Sequence, residues 1–134
     1  PLLAAGPGFT AGRTDQPVLV QDITRTICAI AGVTAPITQD GVDLRDVQNN
    51  PENYQTRKLL HQVRDVAGAN TDCPSCDIIT TRTQKLIRYL GASPPATYTY
   101  ESYQKDTDPN ELVNLGTGIT GFSTLEADLN TLLT

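Results

Sequence analysis

The sequence predicts a mainly α fold: a small helical bundle with an extended N-terminal arm and an extended Tyr-rich segment. Two observations carry this expectation. Four stretches bring their own helix start and stop signs: Asp15-Gln16-Pro17 to Gly32, Asn50-Pro51 to Gly68, Asp72-Cys73-Pro74 to Gly91 and Pro94-Pro95, and Ser123-Thr124-Leu125-Glu126 to the end. Polar N-caps satisfy orphan amides, prolines fit the first turn, and glycines supply the left-handed C-cap. Within those stretches the apolar residues recur at helical spacing.

Residues 1–14 read as an extended arm, because Gly6-Pro7-Gly8 and Ala11-Gly12-Arg13 break any regular element while Leu2, Leu3 and Phe9 punctuate it. Residues 15–134 then read as a single helical domain. A first helix over 17–31 presents Leu19, Ile23, Ile27 and Ile30 inward, with Gln21, Asp22, Arg25 and Thr26 toward water. A short turn of helix is expected around Val42 to Val47, capped by Asp40. The second long helix, 51–67, would bury Leu59, Leu60, Val63 and Val66; the third, 74–90, would bury Cys76, Ile79, Leu86, Ile87 and Leu90. Between 93 and 107 the pattern turns extended, with Tyr98 and Tyr100 alternating with Thr97 and Thr99. Gly116, Gly118 and Gly121 form a hinge before a closing helix, 123–134, with Phe122 as its staple.

Composition narrows the function classes. A net charge of −5 and no basic stripe exclude nucleic acid as a main partner. No apolar run approaches the roughly 20 residues of a membrane helix, and no signal peptide is expected. Three cysteines are too few, and odd in number, for a secreted disulfide scaffold. A reducing environment suits them better.

Cys73-Pro74-Ser75-Cys76 is the one chemically suggestive motif, since a helix N-terminus stabilises a thiolate on the first cysteine. Dithiol enzymes need that motif after a buried strand, and none is expected before residue 73. Cap-and-core cysteines are the plainer assignment. Cys28, His61, Cys73 and Cys76 could form a zinc set, but His61 points away from the stripe of its expected helix. Asp40, Asp43 and Asp46 lack calcium-loop spacing, and Gly116 to Gly121 lacks the lysine of a phosphate loop. The expectation is therefore no enzyme, no catalytic residues, no metal and no cofactor.

What remains is a helical module whose arm and tyrosine segment expose apolar side chains. Leu2, Leu3, Phe9, Tyr98, Tyr100 and Tyr103 are the expected interface residues. In composition and organisation the chain resembles bacteriophage virion proteins, especially small helical head–tail connector, neck or tail subunits. That resemblance implies copies of itself and neighbouring structural proteins as partners, and a place in the virion after synthesis in the host cytoplasm. A cytosolic thiol-redox protein using Cys73 and Cys76, or a helical protein-binding adaptor, are the alternatives.

Overall fold

The computed structural model describes residues 2–34, 40–64, 74–91 and 98–134. Its backbone divides into two compact units, Pro1–Arg57 and Lys58–Thr134. The division falls well past the end of the expected arm at residue 14.

The first unit holds two helices, α1 (Val20–Ala31) and α2 (Leu44–Asn49), followed by a 3-10 turn at Pro51–Tyr54. Gly32 ends α1 with φ 66, the left-handed conformation its place after the apolar run predicts. The cap of α2 is Asp43, not Asp40: its carboxylate accepts from the Arg45 amide at 3.0 Å. Gly41 lets the backbone pass close to α1, since a Cβ there would lie 2.4 Å from the Gln21 carbonyl oxygen. The N-terminal segment is tied to α2, with the Thr10 amide donating to Gln48 Oε1 at 3.2 Å and Gln48 Nε2 donating to the Thr10 carbonyl at 2.6 Å.

The second unit corrects the fold class. Two of the expected long helices, 51–67 and 74–90, do not form. In their place stands a four-stranded antiparallel sheet in the order β1-β2-β3-β4, made of β1 (Leu59–Val63), β2 (Cys76–Thr80), β3 (Gln84–Tyr89) and β4 (Thr99–Gln104). A last helix, α3 (Phe122–Leu132), starts from Gly121 with φ 79 and takes no side-chain cap, so Ser123 is not its N-cap.

The error has a physical origin. Ile79 and Leu86 are seven residues apart, which places them on one face of a hypothetical helix. In the structure they are direct cross-strand partners of the β2–β3 hairpin. The connection between them lacks Gly, Pro or Asn-Gly, so nothing in the sequence announces a turn. The Thr81 hydroxyl does that work, accepting from the Gln84 amide at 3.0 Å while the Thr81 amide donates to the Gln84 carbonyl at 2.9 Å. Ile78, Ile79, Thr80 and Thr81 are a β-branched run that favours a strand once pairing is available.

The core of the second unit lies between the sheet and α3. Ile79, Leu86, Ile119, Leu125 and Leu129 are buried, with Leu60, Tyr100, Phe122 and Leu133 packed around them. Strand alternation explains the selection: Leu60, Ile79, Leu86 and Ser102 form one cross-strand row on the same face.

Candidate functional site

The next row on that face is polar. Register aligns Gln62, Asp77, Arg88 and Tyr100 across the sheet. Asp77 is 2% exposed and Arg88 is 6% exposed, a strongly buried charge pair at 3.2 Å. Arg64 reaches the other Asp77 oxygen at 2.5 Å and Gln62 Nε2 donates to it at 3.3 Å. Arg88 also donates to Asn130 Oδ1 at 2.6 Å, which locks β3 to α3, and its guanidinium lies 4.7 Å from the Tyr98 ring centroid. Burial alone would push the Asp77 carboxyl up. The hydrogen bonds from Arg64, Arg88 and Gln62 outweigh it and hold the group below the usual carboxylate range. Arg88 Nε has no partner among the described residues.

Beside this row, Tyr100 stacks edge-on against Phe122 at 5.0 Å and donates its hydroxyl to Glu126. Burial, then the Glu126 carboxylate, push that phenol up to about 12. The Tyr103 hydroxyl donates to Glu101 at 2.8 Å, and β4 alternation puts it on the sheet face opposite Tyr100. Of the three tyrosines expected at an interface, Tyr98, 41% exposed, meets Tyr100 edge-on at 6.5 Å, Tyr100 is packed against the core, and Tyr103 lies on the other face. Leu2 and Leu3 are exposed at 47% and 93%, and Phe9 is half-buried.

A second polar centre organises the first unit. Asp22 is fully buried, and its two oxygens accept from Arg57 at 2.7 and 2.8 Å, from the Leu19 amide at 2.7 Å and from the Val42 amide at 2.9 Å. These contacts overcome the upward push of burial and keep the carboxyl below its usual range. The Thr26 hydroxyl donates to the Asp22 carbonyl at 2.6 Å and accepts from the Leu44 amide at 2.9 Å. One face of α1 is thereby fastened by polar side chains. The apolar stripe is on another: Val20, Ile23, Ile27 and Ile30 are 78%, 37%, 60% and 41% exposed. This inverts the orientation expected from periodicity, which put Asp22 and Thr26 in water and the isoleucines inside. An acidic residue in the first turn of α1, three residues past a cap, is the signal that was available for Asp22. Asp77 and Arg88 become partners only once the hairpin register is known.

The remaining sequence candidates are dispersed. Cys76 is buried on β2, Cys28 lies half-buried on α1, His61 is exposed on β1, and Cys73 lies outside the described residues. Among the described residues no three His, Cys, Asp or Glu side chains converge to hold a metal ion. Asp43 pairs with Arg45 at 2.5 Å, and Asp46 accepts from Asn50 at 2.6 Å and from Tyr54. Asp43 is thus paired with a cation on its own helix, and Asp46 with two neutral donors. No helix among the described residues is long and apolar enough to cross a membrane.

A four-stranded antiparallel meander backed by one helix is the architecture against which known proteins can be compared. No family model matches the chain, and no curated protein does. Among solved structures it is similar to BT4656, determined in complex with its substrate D-glucosamine-2-N,6-O-disulfate, at 23% identity and a TM-score of 0.61. The match covers 84% of this chain and 22% of that one, so the chain spans about a fifth of the length of that structure. At this identity the likeness establishes the fold.

Proposed function

We propose that this chain is a non-catalytic portion of a larger enzyme that acts on sulfated glucosamine. The observation that carries the proposal is the fold likeness to BT4656, which spans most of this chain and a small share of that one. Two features of the chain support it. The buried ions are spent on each other, Asp22 on Arg57 and Asp77 on Arg64 and Arg88, which leaves them to position backbone and not to attack a substrate. The apolar stripe of α1 stands in water, as expected of a part whose neighbour lies elsewhere in a longer polypeptide.

The test begins with an antibody against residues 58–134 applied to the source cells. A polypeptide several-fold larger than 14.4 kDa is expected. That polypeptide, purified, should consume D-glucosamine-2-N,6-O-disulfate by mass spectrometry, and the 134-residue chain alone should not. A native band near 14.4 kDa running in a large particle would overturn the proposal. It would favour the virion subunit suggested by composition, for which the same exposed stripe would supply the subunit contact.

A further inference from the structure

We propose that the cavity between the N-terminal segment and α2 is a binding site for a small neutral molecule, an apolar body carrying a hydroxyl or N–H donor that meets Gln16. The site lies wholly within the first unit and is separate from the sulfated-glucosamine assignment.

Its walls follow from the local sequence. Gly6 and Gly8, both at positive φ, turn the chain, and the Phe9 amide closes that turn by donating to the Gly6 carbonyl at 3.2 Å. The paired bonds between Thr10 and Gln48 then hold the segment against α2. Between them lies a cavity of about 770 Å³, a size that takes small molecules. Leu2, Leu3, Phe9, Val18, Leu44 and Val47 supply its apolar wall, with Val47 fully buried. Leu2, Leu3 and Phe9 are the arm residues whose apolar side chains seek a contact, and they converge here. Leu3, almost wholly exposed, stands at the lip, where it has an apolar body to cover.

The polar groups of the wall select the ligand. Arg13 donates to Asp15 at 3.0 and 2.8 Å, so the two charges neutralise each other, and both stand in water. Both ends of the Gln48 amide are taken by the Thr10 backbone. Gln16 differs. It is buried, it lines the cavity, and its Oε1 has no hydrogen-bond partner among the described residues. A buried acceptor left without a donor is costly, and such groups are rare in native proteins. An acceptor calls for a donor, and an apolar wall whose charges are paired calls for a neutral one. A sulfated sugar, anionic and poor in apolar surface, does not fit.

The probes are para-tert-butylphenol and indole, each set against a methylated twin, para-tert-butylanisole and N-methylindole, that keeps the body and lacks the donor. Each is titrated at millimolar concentration into the 134-residue chain and followed by amide NMR. At least one donor probe should shift Val18, Leu44 and Val47, and should bind about tenfold more tightly than its twin. Gln16→Leu removes the acceptor at similar volume. It should erase that preference and melt no more than about 2 °C below the parent. Leu3→Asp, at the exposed lip, should weaken the donor probe and its twin alike without changing the melting temperature. Four results would overturn the proposal. Neither donor probe shifts the cavity residues; a donor probe and its twin bind the parent equally; Gln16→Leu melts more than about 5 °C below the parent, which would make the amide a brace of the fold; or the parent dimerises by light scattering and Leu3→Asp dissociates it, which would make a second copy the occupant.

Discussion

In the sheet unit the cluster withdrawn from water beside the Asp77–Arg88 row is apolar, Ile79, Leu86, Ile119, Leu125 and Leu129, whereas in α1 the buried side chains are Asp22 and Thr26. Both units do contain apolar contacts, since Leu44 and Val47 of α2 are also buried. The difference lies in what fixes the geometry. The sheet unit is held by burial between two layers and tolerates one charged row because Arg64, Arg88 and Gln62 saturate Asp77. The helical unit is held at α1 by directed bonds to a single carboxylate, with apolar area left outside. Hydrophobic periodicity reports that a helix has an apolar face; it does not report that this face meets the helix's own unit.

The sharpest way to break the comparison is Asp22→Ala. It strands the Arg57 guanidinium together with the Leu19 and Val42 amides, and should cost roughly 3–5 kcal/mol in chemical denaturation. A loss under about 1 kcal/mol would show that α1 is fastened by something other than this carboxylate. Next, Leu86→Ala, at a fully buried position, should cost roughly 2–5 kcal/mol. Ile27→Ala, at a 60% exposed one, should stay within about 0.5 kcal/mol. Periodicity alone treats these two residues as equivalent core positions, so equal losses would restore the inward-facing helix.

Acid titration compares the two carboxylate centres directly. Asp22 and Asp77 both titrate below the ordinary value of 3.8 in the folded chain. A depressed carboxylate contributes stability that is present above its unfolded value and lost as pH falls through its folded one. The melting temperature should therefore be flat in this respect above pH 3.8 and fall below it. Asp77→Asn should lower the plateau and flatten that fall, measured between about pH 2 and 5. A variant that keeps the parent's full acid dependence would remove Asp77 from the account.

The smallest effect is expected at Glu111, whose φ of 55 is rare for a residue with a Cβ and whose carboxylate meets Lys85 at 2.6 Å. Glu111→Asn exchanges a part-exposed ion pair for a side chain better suited to that backbone, and the two should cancel to within about 0.5 kcal/mol. A loss above about 1.5 kcal/mol would make the Lys85 pair a real brace of the sheet unit.

What could be read from residues alone follows the same division between local and non-local chemistry. The Gly32 stop, a helix through Ile23 and Ile27, and a terminal helix with Leu125 and Leu129 inward are local features, and each is present. So is part of the expected extended segment, as β4 over Thr99–Gln104, while its residues 93–97 lie outside those described. The β2–β3 hairpin was hidden because its turn rests on the Thr81 hydroxyl and because seven-residue spacing serves a helix face and a hairpin pair alike. The site was harder still. Asp22 finds Arg57 across 35 positions and Asp77 finds Arg88 across 11, partnerships created by the fold and leaving no local mark.

The order of the sheet has a consequence for biosynthesis. Each strand pairs with its immediate predecessor in the chain, so the meander can assemble progressively as it leaves the ribosome, with low contact order. Its lid cannot, because α3 occupies residues Phe122–Leu132 and supplies Leu125 and Leu129 last of all. Until those residues emerge, Ile79 and Leu86 face water on a finished sheet, the kind of surface that recruits chaperones or aggregates. A premature stop codon or a frameshift at the start of α3 would make that nascent intermediate permanent. Protein quality control would then meet a well-formed sheet lacking its cover, and cellular abundance would fall.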